Sequence, residues 1–341
     1  MYICAVVLCF FINLDISGYV ETRPFLYWND SLSIAGYNRG WIEFKTDGLD
    51  YGTQVALDLI VPYDTTSFSF AIDNIEISRL ALWIGPENLR LVAGKQKLYW
   101  GVARIFRPLD VFNPVNYFEP GYEKPGSNAL LGYISLGTLT SIRGVIIPQN
   151  DIKQSLYGTR FGTNLLKNDI GLNIMHRPSE EKTIIGAEIA GELILGYWGE
   201  YSYTWEDTVD YSKFSFGIDY TFPFMIYTMG EYFFDGSGED DSASYDFVKI
   251  YSGERTTLAQ QYLYFTISIV PDPFAIVQPR ISNLINLNDR SLIIVPQVSF
   301  SIFENTDIIV GLNYFLGSQR SEFKNITPFD GAVYVWMKVY F

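Results

Sequence analysis

Residues 332–341 read Ala332-Val-Tyr-Val-Trp-Met-Lys-Val-Tyr-Phe341. Val333, Val335, Met337, Val339 and Phe341 fall on one face of a period-two pattern. Ala332, Tyr334, Trp336, Lys338 and Tyr340 fall on the other. Period two predicts a β-strand whose faces meet different surroundings. One face is wholly apolar; the other mixes aromatics with a charge. About ten residues is also the length a tilted strand needs to cross a bilayer.

The pattern recurs upstream. Thr53, Val55, Leu57, Leu59 and Val61 alternate with Gln54, Ala56, Asp58 and Ile60. Phe214, Phe216 and Ile218 alternate with Lys213, Ser215, Gly217 and Asp219, and Leu263, Phe265 and Ile267 with Tyr262, Tyr264 and Thr266. Ile308, Val310 and Leu312 alternate with Ile309, Gly311 and Asn313. Helical apolar spacing is not evident anywhere. Charges in the clean strands (Asp58, Lys213, Asp219, Lys338) share the non-apolar face, and Arg143, Glu188, Glu192, Glu200 and Glu231 fit it too. This is the placement hydrocarbon enforces, since a Lys or Arg facing lipid at mid-membrane costs roughly 2–4 kcal/mol. The alternation slips around Arg79, and Pro279 and Pro296 interrupt it, which predicts bulges or strand ends there.

Connectors fall into two classes. Asp47-Gly-Leu-Asp50, Gly85-Pro-Glu-Asn88, Phe222-Pro-Phe224, Pro271-Asp-Pro273 and Glu304-Asn305 are tight, whereas about 236–257 and about 317–330 are long and polar. Aromatic residues make up 17% of the chain, a level that suits interfacial girdles of Tyr, Trp and Phe. The expected fold is all-β: a single antiparallel transmembrane β-barrel of about 16 strands, within a range of 14–18. The stretches 128–147 and 183–205 each read as one strand or two.

Net charge is −14, which argues against a nucleic-acid partner. Both cysteines, Cys4 and Cys9, lie in an apolar run at residues 2–14, so the body offers no disulfide framework and no thiolate metal site. The run is too short for a membrane helix and suits the core of a secretory signal, although no Lys or Arg precedes it and no small-residue cleavage site follows. The expected organisation is a signal-like segment at 1–17 and a barrel at 18–341.

The closing stretch resembles the C-terminal strand of Gram-negative outer-membrane β-barrels, in which the assembly machinery reads a terminal aromatic. That resemblance implies an assembly signal in Phe341, Val339 and Met337. It also implies an integral outer-membrane location, with outer-membrane lipids, lipopolysaccharide and the barrel-assembly machinery as partners. A second resemblance lies at Gly94-x-Gln96, Trp100-Gly101 and Asn113-Pro114, a pattern similar to one in a group of outer-membrane barrel proteins. It is strongest over about 18–150.

The densest local signal adjoins that pattern. Five of the 24 basic residues, Arg90, Lys95, Lys97, Arg104 and Arg107, fall within eighteen positions. They enter a segment stiffened by Pro108, Pro114, Pro120 and Pro125. A stiff loop can fold into a lumen and narrow it. Arg104 and Arg107, with Lys95, Lys97, Lys213 and Lys338 against Asp58, Asp219 and Glu231, are candidate pore-lining or constriction residues, since rings of charge set selectivity in pores. The alternative is an outer cap whose cations pair with neighbouring acids or lipid phosphates.

The single histidine, His176, shares a face with Ile170, Leu172 and Ile174 and so points outward, a poor place for a catalytic base. Glu239, Asp240, Asp241 and Asp246 match no calcium-loop spacing and read as a solvated loop. No cofactor and no metal are expected. The sequence supports a porin-like channel for small hydrophilic or anionic solutes, and leaves open association with copies of itself. Two other readings stand beside it: a non-conducting barrel in adhesion, polymer export or envelope assembly, and a membrane-embedded hydrolase.

Overall fold

A computed structural model describes residues 14–341 except 30, 49, 65–73, 113–123, 208 and 270–275. The signal-like residues 1–13 lie outside the described residues, while Leu14–Ser17 already belong to the first strand.

The strands are β1 (Leu14–Trp28), β2 (Leu32–Asp47), β3 (Tyr51–Asp64), β4 (Asn74–Ile84), β5 (Leu89–Gln96), β6 (Ser127–Ser135) and β7 (Thr140–Ile147). They continue as β8 (Leu156–Leu165), β9 (Asn168–Arg177), β10 (Lys182–Glu192), β11 (Gly196–Trp205), β12 (Tyr211–Phe222) and β13 (Ile226–Asp235). The last are β14 (Gln261–Ile269), β15 (Val277–Asn286), β16 (Leu292–Phe303), β17 (Thr306–Leu316) and β18 (Gly331–Tyr340). Two short helices, α1 (Phe247–Tyr251) and α2 (Glu322–Asn325), sit in the loops before β14 and β18. Each strand pairs antiparallel with its neighbours in sequence, and β1 pairs with β18, so the sheet closes on itself. Backbone bonds between Gly18 and Phe341, 3.0 Å in both directions, complete the seam.

The barrel has 18 strands rather than about 16. The two ambiguous stretches are both hairpins, β6–β7 and β10–β11. The β10–β11 turn is Leu193-Ile194-Leu195, three apolar residues that carry none of the usual turn chemistry. The bulge expected near Arg79 is present: Ala56 pairs with Arg79 but Leu57 pairs with Ile77. Pro279 and Pro296 stay inside regular β15 and β16. The irregularity on that side lies instead between Phe300 and Phe303.

The connectors sort by end. The tight turns at 48–50, 85–88, 223–225 and 304–305 lie at the end holding Leu14 and Phe341; Pro271-Asp-Pro273 lies outside the described residues. The long connectors that follow β5, β13 and β17 leave from the opposite end.

Outside, Phe216, Ile267, Val310, Val335 and Met337 are among many exposed large apolar side chains. Ser215, Thr266 and Tyr334, adjacent in sequence to members of that set, are buried within the barrel. Such an exterior fits hydrocarbon, and a closed barrel satisfies every strand edge there. No helix among the described residues is long and apolar enough to cross a membrane.

Candidate functional site

The interior is organised by residues 97–112, which enter the lumen after β5. Leu98, Trp100, Ala103, Phe106, Leu109 and Phe112 are all buried, at most 8% exposed. They face the inner wall in three places. Leu98, Trp100, Leu109 and Phe112 pack with Ala129, Val145, Leu156, Met175 and Ile184 on β6–β10. Ala103 packs with Trp198 and Met229. Phe106 packs with Phe233 and Tyr262, stacking on Phe233 at 4.6 Å between ring centroids. Much of the inner wall that this segment covers is apolar, which lowers the cost of placing it there.

The Gly-x-Gln and Trp-Gly residues have structural roles in this insertion. Gln96, the last residue of β5, donates to the Ala129 carbonyl at 3.3 Å. Trp100 meets Phe112 edge-on at 4.9 Å. Gly101 has φ +94°, which favours glycine, and a Cβ there would lie 2.2 Å from Glu200 Oε1. Asn113-Pro114 lies outside the described residues.

Two wall carboxylates receive the segment. Glu200, on β11, accepts from the Ala103 N–H at 2.5 Å and the Leu109 N–H at 3.3 Å. Glu231, on β13, accepts from the N–H groups of Arg104 (2.9 Å), Ile105 (3.2 Å) and Phe106 (2.6 Å) and from Trp198 Nε1 (2.7 Å). The Arg104 guanidinium lies over the Trp198 ring at 4.2 Å and bonds Asp219 and Tyr227. Arg104 and Asp219 are therefore in direct contact, not charges facing each other across a gap. Arg107 donates to the Ala103 carbonyl at 2.7 Å. Asp110 pairs with Lys124, both nearly inaccessible. Burial raises the Asp110 carboxyl, against the pull of Lys124 and Arg107.

The other candidates are dispersed over the wall. Asp58 on β3 is held by Arg39 and Lys95 on β5 by Glu76. Lys213 on β12 bonds Asp235 at 3.0 Å, and Arg255 reaches the same carboxylate at 3.1 Å. Lys338 on β18 lies 4.0 Å from Glu21 and 3.5 Å from the Tyr19 ring centroid. Lys97 opens the inserted segment. Met337, Val339 and Phe341 share the exposed face of the closing strand.

Register reveals a relationship that spacing hides. Arg90 pairs with Tyr133, Tyr133 with Arg143, Arg143 with Arg160, and Arg160 with Asn173. The row continues through Gly186 and Ser202 to Lys213 and Asp235. Arg90 lies near the end with the tight turns and Asp235 near the end with the long loops. Four cations thus lie on one slanted line along the lumen wall, with Glu188 bonding Arg160 at 2.7 Å. Beside the inserted segment is a cavity of about 850 Å³. Its lining includes Arg107, Lys182, Lys213 and Arg255 together with Glu206 and Asp235.

Two of the long loops at this mouth, before β14 and before β18, are joined to one another. Glu322 of α2, wholly buried, accepts from the Leu258 N–H (2.8 Å), the Tyr262 hydroxyl (2.6 Å) and Asn286 Nδ2 (2.7 Å). Burial pushes its carboxyl up to about 7, with those donors pulling the other way. In the acidic loop, Asp241 and Asp246 cap helical turns through Ala243 N and Val248 N. No cluster of potential metal ligands occurs among the described residues. His176 is exposed and its Nδ1 lies 3.0 Å from the Thr183 hydroxyl.

The fold is that of the outer membrane protein OprD from Pseudomonas aeruginosa. That likeness has a TM-score of 0.61 at 8% identity and covers 96% of this chain and 94% of OprD. OpdO of the same organism gives 0.65 at 9% identity, covering 96% and 97%. Its opdK gives 0.64 at 7% identity, covering 96% and 99%. At such identities the likeness concerns the fold. Neither a family model nor a curated protein matches the sequence.

Proposed function

We propose that this chain is an outer-membrane, porin-like channel for passive passage of small hydrophilic or anionic solutes. The carrying observation is the interior: a closed barrel with a charged cavity of about 850 Å³ beside an inserted segment. The slanted row of Arg90, Arg143, Arg160 and Lys213 supports an anion preference, since like-signed groups along a path replace part of the solvation of a passing ion. Similarity in fold to OprD, OpdO and opdK, of which OprD and opdK are outer membrane proteins, over nearly the full length of each, supports the location and the channel reading. Arg104 and Arg107 line the narrowed region in this account, and no catalytic residue is assigned.

The test is swelling of liposomes carrying the refolded barrel in isotonic solutes of graded size and charge. The proposal expects uptake of small polar solutes, faster for anions than for cations of equal size. Liposomes that swell no faster than protein-free ones contradict it.

A further inference from the structure

Glu200 and Glu231 stand apart from the other lumen charges. Asp58, Asp219, Glu188 and Asp235 each bond a cationic side chain. Among the described residues neither Glu200 nor Glu231 makes an ion pair, though both are at most 3% exposed. Their donors are backbone N–H groups of one short run, residues 103–109, plus Trp198 Nε1. A buried carboxylate needs several donors, and a run of consecutive amides in an irregular turn supplies a concave anion site. Here the concavity is on the loop and the anion is on the wall. Gly101 and its positive φ bring the chain against Glu200 where a Cβ would not fit. The two carboxylates hold different parts of the run. Glu200 takes Ala103 and Leu109, and Glu231 takes Arg104 to Phe106 between them.

We infer that Glu200 and Glu231 are tethers that hold residues 101–109 inside the lumen and thereby set the bore of the channel. The part concerning the bore rests on the channel reading; the tethering does not. These are positioning residues: they act on solutes through the segment they hold. Glu231→Gln keeps the size of the side chain but turns an NH₂ group toward amide donors. Trp198→Phe leaves the carboxylate and its backbone donors and removes one N–H.

The experiment is hydrogen exchange of the amides in 100–112, read by mass spectrometry on the full folded barrel, with single-channel recording of the same samples. Exchange in 318–326 is the internal control. Losing charge-assisted bonds raises the open population, so exchange over 100–112 is expected to be at least about tenfold faster in Glu231→Gln. A smaller acceleration is expected in Trp198→Phe, with 318–326 unchanged in both. Conductance of Glu231→Gln is expected to be larger and noisier than that of the parent. Unchanged exchange over 100–112 in folded Glu231→Gln, or equal acceleration of 318–326, overturns the tethering. If Glu231→Gln does not fold, Trp198→Phe and Glu200→Gln decide by the same criteria. Faster exchange with unchanged conductance overturns the claim about the bore. A parent that never conducts sinks the channel reading while exchange still decides the tethers.

Discussion

A Cβ atom on Gly101 would lie 2.2 Å from Oε1 of Glu200, and Gly101 has φ +94°. The Trp-Gly pair is therefore a docking element: Trp100 fills the apolar wall and Gly101 lets the chain close on the carboxylate. Gly101→Ala meets both the steric contact and the unfavourable φ. It should cost about 1–3 kcal/mol of local stability. Hydrogen exchange over 97–112 should accelerate accordingly, while the strand amides of β11 stay protected.

Arg23 is 2% exposed, bonds Glu21 at 3.1 Å and lies 3.9 Å from the Trp336 ring. Trp336 Nε1 also donates to Glu21, at 2.9 Å. Arg23→Met removes this cation from a Glu21 carboxylate that stays buried, with Lys338 4.0 Å away. The expected loss is about 3 kcal/mol, the low end for breaking a buried pair. Adding Glu21→Gln should recover much of it. Guanidinium unfolding of the detergent-refolded barrel reads both.

Phe216 lies midway along β12 on the exposed face, and Ser215 beside it is buried inside. Phe216→Arg should destabilise the vesicle-embedded barrel by roughly 2–4 kcal/mol. Phe216→Leu should change it by less than about 1.5 kcal/mol, as a swap between apolar side chains. Equal effects would contradict the membrane orientation.

Glu322 joins the loop before β18 to Leu258 of the loop before β14, and its carboxyl is raised from 4.5 to about 7. A raised carboxyl favours the protonated folded form. Its stabilising contribution is complete below about pH 4.5 and is lost as pH rises through about 7. Exchange protection of 318–326 should fall across that window, and Glu322→Gln should flatten the dependence.

Alternation with a continuous apolar, aromatic face over many segments made the barrel legible, because lipid enforces one apolar face on every strand. The strand number was less so: Leu193-Ile194-Leu195 turns the chain without Gly, Pro, Asn or Asp, so two strands read as one. The inserted segment was visible as a proline-stiffened basic run. Its anchors were not, since Arg104 meets Asp219 and Glu231 more than a hundred positions away. An inward acid in a strand looks the same whether it lines a path or holds a loop. The row Arg90–Arg143–Arg160–Lys213 likewise needs the register, which period two leaves undetermined.

Single-channel current through the barrel refolded from residues 14–341, in planar bilayers under a salt gradient, tests the central claim most directly. The account predicts discrete open steps and a reversal potential displaced toward the anion equilibrium potential, with the displacement reduced in Arg143→Ala and Arg160→Ala. A folded, heat-modifiable barrel that gives no current steps contradicts it.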